Sequence, residues 1–221
     1  MLNKKLKNFG LMSCLGIGMG FMGFLSFEVL FPATPSNAAS TAAAEISVDV
    51  EPILEMALDS NSVSLTAGGE DEILPNSEGV LATGDVNVYV TSNSSAYKLT
   101  VYSASDTNSM KHVNTNVNAS ILPTSGGVSE LSTDTWGFKY GSASSWTAVG
   151  QGESNASRVA TGNATTSICE DLETNYAACE AEGSVNKHTV TFGANVTDAL
   201  PSGQYTNNVV FSVVATGGTG N

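Results

Sequence analysis

The chain has 221 residues and carries 21 acidic against eight basic side chains, a formal charge of −13 at pH 7 with histidine neutral. So negative a chain repels phosphate backbones, which argues against nucleic acid as a partner. Only 13% of residues are charged while Ser, Thr, Asn and Gly abound, a balance that suits strands with neutral polar outer faces better than solvent-facing helices.

The first segment reads as an export signal rather than as part of the fold. Lys4, Lys5 and Lys7 precede an uncharged run over residues 8–27, and Ser36-Asn37-Ala38 offers small residues at cleavage spacing. Cleavage is expected after Ala38, with Ala44 the alternative. The apolar run also approaches the ~20 residues that span a bilayer, so an uncleaved anchor through residues 8–27 is the competing reading, and the membrane is otherwise no partner. Gly18-Met19-Gly20-Phe21-Met22-Gly23 has dinucleotide-loop spacing but no βαβ unit around it, and no cofactor is expected. Removing residues 1–38 takes away three basic residues and Glu28, leaving five basic against 20 acidic and a formal charge of −15.

Residues 39–45 read as a loose linker and Ile46, Val48 and Val50 as a first strand, with Pro52 marking a bend. Residues 53–58 fit helix or strand; Asp59 to Ser62 then turn into residues 63–66 as a hairpin. An acidic loop follows over 68–79. Residues 85–103 carry the strongest pattern: Val86, Val88 and Val90 alternate with polar positions, a short polar link follows, and Tyr97, Leu99 and Val101 resume the period of two. Such a pair predicts an antiparallel hairpin. In the polar stretch after it, residues 119–122 are the strand-like piece. Trp136, Phe138 and Tyr140 then share one face of a core strand, and Trp146 and Val149 return beside them. Residues 151–186, poor in large apolar residues, read as a surface excursion.

That excursion holds Cys169 and Cys179, the pair that survives cleavage, and an even count in an exported chain predicts a disulfide. One unbroken helix between them would hold their Cα atoms about 15 Å apart, whereas a disulfide needs about 7 Å or less. The bridge is therefore expected with at most a turn or two of helix inside it. Val190, Phe192, Ala194 and Val196 form the next strand, Leu200-Pro201-Ser202-Gly203 a turn, and Tyr205 to Thr216 one continuous last strand with Val209, Phe211, Val213 and Ala215 on one face, before a tail at 217–221. Eight to ten strands without a parallel crossover predict an all-β fold, a single antiparallel β-sandwich of immunoglobulin-like or jelly-roll-like type over residues 46–216.

The run from Val86 to Val101, the segment Leu131-Ser-Thr-Asp-Thr-Trp-Gly-Phe-Lys-Tyr140, and Leu200-Pro-Ser-Gly-Gln-Tyr-Thr-Asn-Asn-Val-Val-Phe211 occur in that order. Together they resemble exported cell-surface β-sandwich proteins of Gram-positive and candidate-phylum bacteria. The resemblance implies an extracellular or cell-surface address and no known catalysis, and it transfers no functional residues.

Catalytic and metal chemistry find little support. His112 and His188 lack a nucleophile elbow and read as solvated. Oxidised cysteines cannot hold zinc. Glu70-Asp71-Glu72 and Glu170-Asp171 lack calcium-loop spacing. Asn93, Asn118, Asn155, Asn163 and Asn195 precede x-Ser/Thr and read as surface polar residues. No catalytic, cofactor or metal residue is therefore assigned. The expected function is a non-catalytic adhesion or binding module, whose loops at 68–79, 103–120 and 151–186 touch a carbohydrate or protein. The alternative is a pilus or surface-layer subunit that self-assembles by adding residues 39–50 to a neighbour's sheet edge.

Overall fold

A computed structural model describes residues 51, 53–66, 73–165, 167–169 and 171–216. The signal segment with Ala38, the linker, the strand expected at 46–50, Pro52, Glu70 to Glu72, Glu170 and the tail at 217–221 lie outside the described residues.

Eleven strands and one α-helix follow one another along the described residues. The strands are β1 Leu54–Leu58, β2 Val80–Ser92, β3 Tyr97–Ser103, β4 Met110–His112, β5 Ser120–Pro123, β6 Thr135–Tyr140, β7 Gly150–Gln151, β8 Ser157–Gly162, β9 Asn186–Val196, β10 Tyr205–Thr206 and β11 Val209–Ala215; α1 is Leu172–Ala181. One sheet has seven strands in the order β1-β2-β9-β6-β5-β4-β10, and the other joins β11, β3 and β7, with β8 also on β3. The fold is all-β, as expected, but its sheets are mixed rather than antiparallel throughout. Two strand pairs are parallel: β5 with β6, and β3 with β7.

The largest correction concerns residues 85–103. They do not form a hairpin, because β2 pairs with β1 and β9 while β3 pairs with β11, β7 and β8. The four-residue link changes sheets. Asn93 still donates to Ile53 O beside β1, whereas Ala96 O already accepts from Thr216 N beyond β11. The two alternating faces therefore meet one core as members of opposite sheets. Val86, Val88, Val90, Tyr97, Leu99 and Val101 are all fully or almost fully buried in a single cluster with Trp136, Phe138, Val190, Phe192 and Phe211. Burying a side chain of this size stabilises by about 1.5–3 kcal/mol.

Other segments depart from expectation for related reasons. Residues 54–58 settle as strand by pairing with β2, and Thr66 bridges Thr83 instead of closing a hairpin. Val63 and Leu65 pack against the core. The polar stretch after β3 contains β4, too short to show a period. Part of the excursion is structural: β8 sits in the second sheet with Val159 and Ala160 buried. Residues 205–216 split between sheets, β10 joining β4 and β11 joining β3.

Cys169 and Cys179 are disulfide-bonded with their Cα atoms 5.8 Å apart. The helix is longer than expected, and two features reconcile it with the bridge. Cys169 precedes the N-cap Asp171, and Asn175 (φ −139°, ψ 28°) breaks the helix within. The bridge, Leu172 and Val185 pack with Ala57 and Tyr89 into a second small core on the outer face of the seven-stranded sheet. Tyr176 stacks on Tyr89 at 4.6 Å between centroids, and Lys187 ion-pairs with Glu180 at 3.2 Å. Replacing both cysteines by serine should cost about 2–3 kcal/mol on the chain-entropy estimate, read from urea unfolding; a loss under about 0.5 kcal/mol would show the bridge to be energetically idle.

Trp146 lies not in the main core but on the outer face of that sheet. Gly137 and Gly193 are register partners, and a Cβ on Gly193 would come within 2.3 Å of the Trp146 ring. Lys139 lies over the ring, its Nζ 4.2 Å from the centroid. Gly193→Ala should therefore destabilise by about 1–3 kcal/mol through overpacking, while Gly126→Ala, whose added carbon meets nothing nearer than 3.9 Å, should stay within about 0.5 kcal/mol.

Candidate functional site: a polar cleft at the sheet crossings

Two chain segments cross between the sheets side by side: 104–109, from β3 to β4, and 207–208, from β10 to β11. Their pairing partners on either side fix the approach, Ser103 with Val209 and Lys111 with Thr206. Between them lies a cleft of about 360 Å³ lined by Ser105, Ser109, Lys111, Thr206, Asn207 and Asn208.

The cleft's floor is fastened by hydrogen bonds spent entirely within the protein. Asn207 Nδ2 donates to Thr107 O (3.2 Å) and Ser109 O (2.8 Å), while its Oδ1 accepts from the buried Ser103 hydroxyl at 2.8 Å. Asn108 is held from both ends, its side chain donating to Val149 O and its carbonyl accepting from Trp136 Nε1 at 2.9 Å. Gln151 Nε2 donates to Asp106 O. A loop pinned at four successive positions keeps its shape without a ligand.

At the mouth the situation reverses. Lys111, Thr206 and Asn208 are exposed. Among the described residues, no carboxylate lies within ion-pairing distance of Lys111, and the Thr206 hydroxyl and Asn208 carboxamide make no hydrogen bond. A preformed floor beneath unspent hydroxyl, amide and ammonium groups can bind a ligand rich in hydrogen-bonding groups. Its volume falls in the ~300–1,000 Å³ range of small-molecule sites.

The two histidines are placed differently from expectation. His112 is half-buried in β4, its Nε2 3.1 Å from Ser202 O and its ring edge-on to Tyr205. His188 is not solvated at all: 5% exposed in β9, it stands between Tyr97 OH at Nε2 (2.7 Å) and Tyr140 OH at Nδ1 (3.0 Å). Gly162 makes room for this contact, since a Cβ there would strike the Tyr97 ring. Burial pushes the Tyr97 hydroxyl up to about 12 and lowers the His188 pKa. The ring is therefore neutral at pH 7, offering one N–H and one bare nitrogen to two tyrosines that can donate or accept. The group joins the sheets, and among the described residues the ring's hydrogen-bond partners are the two tyrosines.

A second hollow, about 460 Å³ between β1 and α1, is lined by Glu55, Met56, Asp171, Leu172, Glu173 and Thr174. No trio of carboxylates or histidines there or elsewhere among the described residues is placed to share a metal ion. Of the sequon asparagines, Asn93 and Asn155 are exposed yet bond the backbone, Asn155 donating to Gln151 O, while Asn195 departs from the surface reading. Asn93 fastens the approach to β1, and Asn195, half-buried, donates to Leu131 O.

Of the loops expected to recognise a ligand, 103–120 supplies Ser105, Ser109 and Lys111 to the cleft. Residues 206–208 come from what read as the interior of a continuous strand. Their polar triplet Thr206-Asn207-Asn208, breaking the apolar alternation before Val209, was the available signal. The chain matches no protein-family model and no curated protein.

The His188 environment sets a pH dependence. Its folded pKa lies below the unfolded value of about 6.5, so the unfolded chain takes up its proton first. The stabilisation is complete above about pH 6.5, is lost as pH falls towards the folded pKa, and loses no more below it. His188→Gln, which keeps a donor and an acceptor, should show a shallower fall in unfolding free energy from pH 7 to pH 5 than the wild type. Equal slopes would mean that His188 does not carry the effect.

Proposed function

We propose that the protein is a non-catalytic binding module acting outside the cell, and that the cleft between the two sheet crossings takes a carbohydrate. The two sheets are read here as one β-sandwich on which the cleft is a rigid feature, exported by the segment ending at Ala38. The observation that carries the ligand class is the division of labour in the cleft: Asn207 and Ser103 are consumed in holding its floor, while Lys111, Thr206 and Asn208 are left unspent at its mouth. A polyhydroxylated ligand matches such a lining, because every group it desolvates is offered a partner. An apolar ligand would leave the same groups unpaired. The disulfide fits an oxidising, extracellular setting, and no helix among the described residues is long and apolar enough to cross a membrane.

A glycan array on the purified chain, followed by titration of each hit, tests this. Lys111→Ala and Asn208→Ala should each weaken binding about tenfold or more, the worth of a hydrogen bond to a charged group or of two neutral ones. Lys139→Ala, remote from the cleft, should leave it unchanged. An empty array, or hits indifferent to the cleft variants, would overturn the assignment.

A further inference from the structure

The lining of the cleft carries a single charge. Lys111 is its one basic residue and no carboxylate stands with it there, although the residues beyond 38 hold 20 acids against five bases. Asp106, next to Ser105 in sequence, lies outside the lining, and Gln151 binds its carbonyl rather than its side chain. Asp134, whose charge adds to burial in raising the Tyr205 pKa, spends both carboxylate oxygens on Thr197. The cleft is therefore a cationic spot on an acidic protein.

Backbone pairing sets that charge in place. Met110 packs against the core, so the alternation of β4 turns Lys111 to the opposite face. There it is the register partner of Ser120 on β5 and of Thr206 on β10. Side chains directly opposite in an antiparallel pair stand about 5 Å apart at Cβ, which brings the Thr206 hydroxyl beside the lysine. Two residues on, Asn208 N donates to Ser105 Oγ at 3.3 Å, and the Asn208 carboxamide is left exposed.

These groups do not balance. Lys111 brings donors and no acceptor, while Asn208 and Thr206 bring both. A neutral saccharide hydroxyl donates as readily as it accepts, and it would desolvate the ammonium without supplying a counter-charge. A carboxylate or sulfate ester only accepts, and it takes a charged donor at roughly twice the strength of a neutral pair. We propose that the ligand is an anionic saccharide, its carboxylate or sulfate on Lys111 and the Thr206 hydroxyl, its ring hydroxyls towards Asn208 and Ser105. Resting on the carbohydrate reading of the cleft, this assignment makes Lys111 the residue that selects among saccharides. The overall negative charge of the chain does not prevent it, since at physiological ionic strength repulsion between exposed charges fades beyond about 8 Å.

An array holding neutral, uronate-, sialate- and sulfate-bearing saccharides, probed with the purified chain at physiological ionic strength, tests it. Each acidic hit is then titrated beside its carboxyl-reduced or desulfated counterpart. The acidic form should bind about tenfold or more tightly. Lys111→Met, which keeps the length and removes the charge, should erase that preference, and Lys111→Arg should keep it. Asn208→Ala should weaken both forms and leave their ratio unchanged. The uronate, sialate and sulfate members of the array tell which anion is taken. Neutral hits, or a preference that survives Lys111→Met, would overturn the anionic assignment, while binding that still falls in Asn208→Ala would keep the cleft as the site. An empty array, or hits indifferent to every cleft variant, would overturn both.

Discussion

Two strands adjacent in sequence lie in opposite sheets, and the rest of the molecule follows from that crossing. Once residues 93–96 carry the chain from β2 to β3, the apolar faces of both strands look at one core from opposite sides. Neither can then satisfy its backbone on the other. β2 must recruit β1 and β9, and β3 must recruit β11, β7 and β8. The sheets are mixed because β5 and β6, consecutive in the chain, and β3 and β7 run in parallel, while the distant pairs β2–β9 and β3–β11 are antiparallel. At the crossing end the Tyr97–His188 contact joins the sheets by a hydrogen bond, in a core otherwise held by non-directional packing.

What the sequence made legible was the faces of strands, and what it concealed was their partners. A period of two identifies core-facing positions such as Val86, Leu99, Phe192 and Phe211, since burial acts on each side chain locally. It is silent on whether a short link turns within a sheet or crosses between sheets. Asn93-Ser94-Ser95-Ala96 offered one hint against a hairpin: it has no glycine for the left-handed positions that tight hairpin turns favour. His188 was hidden for a similar reason. Its position in the alternation was visible, but the tyrosines that make a buried imidazole tolerable come from two other strands. Trp146 was legible as buried and illegible in place, because its slot is cut by Gly193, remote in sequence.

The candidate site was half legible. A polar loop after β3 was visible, and Lys111 with it. The partner wall, residues 206–208, was not, because the apolar residues on either side read as a single strand. That interruption marks a second crossing between sheets, and a crossing exposes polar backbone and side-chain groups that strand interiors conceal. Two crossings side by side give the cleft both its rigidity and its chemistry. Asn207 is central to this, since each hydrogen bond it makes to Thr107, Ser109 or Ser103 ties one crossing to the other.

The cleft lies at one end of the β11–β3 ladder, which fixes the spacing of its two walls. Ser103 and Val209 border the cleft, while Tyr97 and Ala215 pair at the ladder's far end. The chain's strong negative charge adds a constraint from outside. Lys111, unpaired among the described residues, stands as a local exception on an acidic protein, and it gives the cleft a preferred orientation for any ligand that carries partial or full negative charge.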